Sequence, residues 1–284
     1  MTTEVIKTRT RWQLASSHLS TPSLVLAVAM LAVVALVVAV VPFLPTFDPY
    51  SQDLAGSRAV PFTDPAHLLG TDALGRDTLS RLAVATRVSL LVALGAVAIS
   101  AVVGLAIGLL AGWRRGRLDS FLMAVGDVQL AIPVVLLLIV LVAALGSSPL
   151  LLVTLLGLTN WVGYGRVTRS LAVSLREREF VAAVTAAGGG GWWIVRKHLL
   201  PNVLPQVLIL AAFEIGVVIT IESSLSFLGL GIQPPTPSLG LMINEGQKYL
   251  QTDPALTLLP ALMILFVIGG IQFVSQGIAG RSRR

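Results

Sequence analysis

The chain of 284 residues contains no cysteine, so disulfides, thiolate metal sites and cysteine nucleophiles are all excluded. Charge is scarce: Asp, Glu, Lys and Arg make up 12% of the residues, about half of what a soluble domain carries. Histidine occurs at His18, His67 and His198 only, too far apart to suggest a metal cluster. No Gly-x-x-x-x-Gly-Lys-Ser/Thr phosphate loop, HExxH or GxSxG motif is present, which leaves no recognisable nucleotide-hydrolysing or hydrolase centre. What the sequence has in quantity is apolar surface, with 55% hydrophobic residues and a mean hydropathy of +0.86. That is the composition of an integral membrane protein. The net charge of +6 does not point to nucleic acid, because the basic residues sit in short loops between apolar runs.

Hydropathy divides the chain into six spans. Residues 1–23 are polar and basic, and residues 24–44 supply the ~20 apolar residues that a bilayer crossing needs. This run is too long for a signal peptide and has no small-residue cleavage site before Pro42, so it is read as an uncleaved first span. Residues 45–87 form a polar segment whose Asp48-Pro49 and Asp64-Pro65 pairs favour irregular loop, turning helical from Asp77. The second span runs from about Val88 to Ala111 and carries Gly104, Gly108 and Gly112, a small-residue ladder that lets two helices in lipid approach closely. The third is expected over Phe121 to Leu145 with Pro133 inside it, the fourth over Leu150 to Gly165, the fifth over Val203 to Ile221 and the last over Ala255 to Gln276. Residues 88–280 thus form a five-helix core, with a long loop at 166–202, another at 222–254, and a basic tail at 281–284.

Six crossings place both termini on one side, and the basic residues say which. Lys7, Arg9, Arg11, the three arginines of 114–117, the six basic residues of the 166–202 loop and the three in the tail give fifteen on that side. The other side has five: Arg58, Arg76, Arg81, Arg87 and Lys248. The bias makes the termini and the 166–202 loop cytoplasmic, and the 45–87 and 222–254 segments extracytoplasmic.

The most unusual stretch is Arg176 to Asn202, REREFVAAVTAAGGGGWWIVRKHLLPN. Phe180, Ala183, Val184 and Ala187 fall at helical spacing and predict a short helix over Arg176 to Ala187. Four glycines, Gly188 to Gly191, end it, and a second short segment from Trp192 to Leu200 is expected to be closed by Pro201. Read from composition alone, this is either a connector lying on the bilayer surface or a helix–glycine–helix elbow whose apolar face seeks a partner. Four glycines are more than a bend requires.

The stretch resembles the cytoplasmic coupling (EAA) loop in permease subunits of binding-protein-dependent ABC importers. Gly188 takes the family's glycine, His198 its often aliphatic position, and Leu200 and Pro201 its closing pair. Ala182-Ala183-Val184 stands where Glu-Ala-Ala is usual, with Glu179 nearby but off register. The histidine followed by Leu-Leu-Pro-Asn is similar to the dipeptide, oligopeptide and nickel branch, as the second, C-type permease of the pair. HLLGTDALGRDTLSR (67–81) and ESSLSFLGLGIQPPTPSLG (222–240) resemble that branch's extracytoplasmic segments. The tail lacks the Gly-Asp and Asp-Pro signature common in relatives.

The resemblance implies an all-α, type I importer permease in a prokaryotic inner membrane. It implies a heterodimer with a second permease, two ATPase subunits carrying ATP and magnesium, and an extracytoplasmic solute-binding protein, with no cofactor on this chain. Glu179, Phe180, Ala182, Ala183, Ala187, Gly188, His198 and Pro201 would then couple ATP hydrolysis to transport, with Pro201 as a stiff return into the membrane. Three acids lie within or at the ends of spans, Asp127, Glu214 and Glu222. Each is a candidate pathway contact. For Asp127 the alternative is an acid near the cytoplasmic interface, and for Glu222 one at the outer boundary bonded to the following loop. A proton-coupled secondary transporter, with Glu214 and Asp127 as relay sites, is the reading of a different class. It calls for an internal repeat with broken helices in both halves, which is not apparent. A membrane-embedded enzyme and a structural scaffold subunit are the remaining rivals.

Overall fold

The computed structural model describes residues 21–281, with side-chain surroundings for 24–275. Residues 1–20 and 282–284, and with them most of the N-terminal segment and the basic tail, lie outside the described residues. Apart from one isolated bridge between Thr71 and Asp77, the described chain is helices and loops. In order these are α1 (Thr21–Val40), α2 (Thr78–Arg114), α3 (Gly116–Leu130), α4 (Val134–Leu145), α5 (Pro149–Thr159) and α6 (Trp161–Arg176). Then come α7 (Glu179–Ala186), α8 (Gly191–Ile194), α9 (Leu200–Phe227), α10 (Leu239–Gly246) and α11 (Ala255–Arg281). Among the described residues, five helical runs are long and apolar enough to cross a membrane, and a bent pair taken as one span brings the number to six.

That bent pair corrects the reading of the third span. α3 and α4 meet at 82° rather than running through as one rod. Pro133 is the reason: it has no N–H to continue the ladder and becomes the N-cap residue of α4. Backbone bonds resume on both sides of the break, where Ala131 N–H donates to the Asp127 carbonyl and Leu137 N–H to that of Pro133. A break at membrane depth is tolerable only where protein or water satisfies the freed groups.

The long α2 organises the bundle. Asp77 caps it by accepting from Ser80 N–H at 2.8 Å, and its 37 residues rise about 55 Å, well beyond a ~30 Å hydrocarbon core. Its glycine ladder lies along α6. A Cβ on Gly104 would collide with Tyr164 and the Trp161 carbonyl, one on Gly108 with Thr168 and the Gly165 carbonyl, and one on Gly112 with Ala172. The two backbones therefore touch where lipid offers no hydrophobic drive to bring them together.

Apolar side chains gather in two clusters. The larger joins α1, α2, α4, α5, α9, α10 and α11 towards the N-terminal end of α2, around Leu82, Leu138, Leu156, Ile219 and Leu225. The smaller joins α2, α6, α7, α8 and α9 at the other end, around Leu109, Tyr164, Ile194 and Leu199.

Candidate coupling elbow and pathway residues

The elbow begins where α6 ends. Arg176 anchors that end to α2, donating from Nη1 to the Trp113 carbonyl at 2.6 Å while its guanidinium lies 5.3 Å from the Trp113 ring centre. Arg115 reaches across to Glu177 at 2.6 Å. The chain turns at Glu177 and Arg178 before α7 starts, so the expected helix over Arg176 to Ala187 is shorter than the spacing predicts. Glu179 opens α7, where a carboxylate suits the positive end of the helix dipole.

α7 rests on the bundle through Val181 and Val184 and turns Glu179, Phe180, Ala182, Ala183 and Ala187 outward. Of the four-residue stripe read from the sequence, Val184 thus points inward and the other three point out. Phe180 is not isolated. Its ring lies 5.9 Å from that of His198, which meets the Trp193 ring edge-on at 5.1 Å. The His198 Nε2 is buried and has no hydrogen-bond partner among the described residues.

Three of the four glycines now have individual reasons. Gly188 takes φ +86°, and its N–H donates to the Thr185 carbonyl while the Gly189 N–H donates to that of Val184. This is the Schellman closure of a helix, which needs a left-handed residue after the cap. A Cβ on Gly189 would strike Val184, and one on Gly191 would strike the Trp113 ring. Gly190 has open space and φ −67°, a conformation open to any residue.

Pro201 does not close the second segment, contrary to expectation. Helical structure runs as one span from Gly191 to Phe227, and Pro201 sits in the first turn of α9. A five-residue π-turn, Val195–Leu199, precedes it, with Leu200 N–H donating to the Val195 carbonyl. The wider turn accommodates a ring that would clash with the carbonyl four residues back in a regular helix. The elbow thus has one corner, at the glycines, and passes as continuous helical structure into α9. The fifth span accordingly begins well before Val203, and Pro205 lies inside it.

The three acids have different surroundings. Glu222 is fully buried, with Oε2 accepting from Ser89 of α2 at 2.9 Å and Oε1 from Ser226 at 2.7 Å. Ser226 and Ser89 in turn accept from the N–H groups of Ile232 and Leu239. It is thus an interior knot joining α2, α9 and the start of α10, and its main partners are on helices rather than the following loop. Glu214 is half-buried; its Oε2, with Tyr164 Oη and Thr168 Oγ1 of α6, is buried without a partner among the described residues. Asp127 lies on the outside of α3 and takes a hydrogen bond from Arg166 of α6 at 2.5 Å. Arg169 makes a bidentate pair with Asp119 one turn further along α6.

One cluster was not legible beforehand. At the far end of the molecule Asp72 Oδ2 accepts from Arg76 at 2.7 Å and Arg81 at 2.8 Å, and Glu245 of α10 accepts from Arg81 at 2.6 Å and Arg76 at 3.2 Å. Burial pushes the Glu245 carboxyl up, with the Arg76 guanidinium opposing it. The arginines and Asp72 stand in the quoted 67–81 motif, but their partner lies 164 residues from Arg81. A small cavity of about 210 Å³ opens beside this cluster, lined in part by Thr78, Met242, Lys248 and Tyr249.

The family model described as the binding-protein-dependent transport system inner membrane component matches residues 104–283. The chain belongs to that family. It is also similar to the nickel transport system permease protein NikC of Escherichia coli, at 36% identity over 89% of this chain and 91% of the relative. The oligopeptide transport system permease protein OppC of Haemophilus influenzae is 32% identical over 89% and 82%. The dipeptide transport system permease protein DppC of Alkalihalophilus pseudofirmus is 34% identical over 75% and 70%. The permease is therefore an all-helical, multi-pass protein of the inner membrane, in the branch that contains those three relatives.

Proposed function

We propose that this permease is one of a pair of membrane subunits in an ATP-driven importer, forming half of the pathway for dipeptides or oligopeptides delivered by an extracytoplasmic binding protein. The observation that carries the coupling role is α7, a short helix seated on the bundle by Val181 and Val184 while Phe180, Ala182, Ala183 and Ala187 face outward. An ATPase subunit, holding ATP and magnesium, would take that face. Closure of two such ATPases would push α7, and the rigid run from Gly191 through α9 would carry the displacement into the membrane. The basic-residue bias supports a cytoplasmic elbow.

Nickel transport is the second reading, favoured by the 36% identity to NikC, which is as high as the identity to the peptide permeases. The test is to purify the permease with the proteins that accompany it and reconstitute them with ATP on the elbow side. Uptake of short peptides that stops without ATP supports the proposal. Uptake of nickel but not peptides selects the second reading. Solute movement by this chain with no ATP-hydrolysing companion overturns both and favours a proton-coupled carrier.

A further inference from the structure

α6 is the odd helix of this bundle. With α5 it forms a 28-residue span, Pro149–Arg176, whose most apolar 18-residue stretch has a mean hydropathy of 1.3, the lowest such value among the five continuous spans. Its inner face, Trp161, Tyr164, Gly165, Thr168 and Ala172, is buried, largely along α2. Its outer face reads Gly163, Arg166, Val167, Ser170 and Ser174, all exposed and all but one polar or without a side chain. These positions recur at three- and four-residue intervals, so they form one stripe.

Depth makes the stripe informative. Arg166 lies ten residues, about 15 Å, from the elbow end of α6. The span is about 42 Å long, some 12 Å more than a hydrocarbon core, so its central portion must be inside the membrane. Arg166 is four residues from the middle of that span, yet its side chain is 51% exposed and that of its partner Asp127 is 63% exposed. A guanidinium and a carboxylate facing lipid at that depth would be heavily penalised, and the Asp127 bond keeps Arg166 from reaching back to the interface. This face therefore meets the water-filled pathway or the second permease subunit, and not lipid. An ion pair that is wet and open on its outer side can also exchange partners with a solute carrying both charges.

We propose that Arg166 and Asp127, with the Ser170 and Ser174 stripe, form this chain's wall of the water-filled pathway, where the pair receives the carboxylate and ammonium ends of a zwitterionic peptide. The assignment rests on the importer reading above and adds the residues and the substrate chemistry. Arg166 contacts the carboxylate of the passing peptide and Asp127 its ammonium, so the two set which net charge passes most easily. Asp119 and Arg169, less exposed and bidentate, hold α3 against α6 one step closer to the elbow.

Cysteine labelling tests the wall without background from this chain, which has no thiol of its own. In the assembled importer, Ser170→Cys and Ser174→Cys should react with a charged, membrane-impermeant thiosulfonate at least ~10-fold faster than Phe121→Cys and Val128→Cys on the apolar outside of α3, because thiolate forms only in water. Equal, slow labelling at all four overturns the wall and makes the pair an interface between the two permease subunits. Charge selectivity tests the pair. Arg166→Gln should shift the ratio of cationic to anionic peptide uptake about 10-fold towards the cationic peptide, Asp127→Asn should shift it the other way, and the double variant should restore it. Equal losses for both peptides would show a purely structural ion pair and overturn the assignment. If the wild-type complex carries no peptide at all, the zwitterion role falls with the peptide reading, while the labelling still decides the wall.

Discussion

Gly188 and Gly190 are two residues apart and are held by different physics. Gly188 closes α7 at φ +86°, where a branched side chain costs about 1–3 kcal/mol in backbone strain, whereas Gly190 sits at an ordinary φ in open space. Gly188→Val is expected to lower transport-coupled ATPase activity at least ~10-fold in the reconstituted complex, and Gly190→Ala to leave it within about twofold. Equal effects would mean that the run acts as a loose hinge and not as a defined corner. Glu222 offers a second contrast. Glu222→Ala leaves the hydroxyls of Ser89 and Ser226 without their acceptor in a dry interior, a loss of about 1–3 kcal/mol per group, while Glu222→Gln keeps an acceptor of the same shape. Thermal unfolding in detergent should therefore rank wild type and Gln well above Ala. None of these distinctions follows from residue type, since four adjacent glycines look alike until each backbone angle and each neighbour is known.

The elements show where periodicity is a reliable guide and where it misleads. The small-residue ladder of Gly104, Gly108 and Gly112 and the helix start near Asp77 were both readable, because a helix has one geometry and the spacing fixes which residues share a face. The structure adds the partner of that ladder, α6. Gly108→Val drives a side chain into the Gly165 carbonyl and Thr168, neither of which can retreat, and should destabilise the α2–α6 seam by roughly 1–3 kcal/mol. Loss of folded permease in detergent, with the same change at exposed Gly163 tolerated for folding, is the check. Proline was less informative. Pro133 breaks a span by 82° while Pro201, Pro205 and Pro260 sit within continuous helical runs, one of them because a π-turn precedes it. Whether a proline bends a helix depends on whether neighbouring backbone can be satisfied in another way.

At the scale of the whole molecule, the two ends are built differently. The elbow end is a lightly packed corner, with rings of Phe180, His198 and Trp193 on its surface. The far end is fastened by charge: Arg81, almost wholly buried, binds both Asp72 and Glu245 and so ties the 45–87 segment to α10. Glu245→Ala should cost about 2–4 kcal/mol, because it leaves a buried guanidinium with one partner in place of two. A fall in the unfolding temperature together with faster proteolysis of the 45–77 segment would report it. Orientation is a further test. A cysteine at exposed Gly190 should be labelled from the cytoplasm and one at Ser57, on the opposite side, from outside; the reverse pattern would invert the topology inferred from the basic-residue bias, which stands at fourteen to five with Arg166, inside the fourth span, left out.

The sequence by itself determined that the chain is a helical membrane protein of several spans. It also determined where its glycine-rich elbow lies. These follow from bilayer thickness, helix rise and the high cost of charge in lipid, all of which act locally along the chain. Tertiary structure alone decided which partners meet. Asp127 lies 39 residues from Arg166 and Arg81 lies 164 from Glu245, separations across which no local rule operates. The same holds for what each face of α6 touches. A polar stripe in sequence is only composition; the structure shows that its opposite face is pressed against α2 and that its charged side is left open.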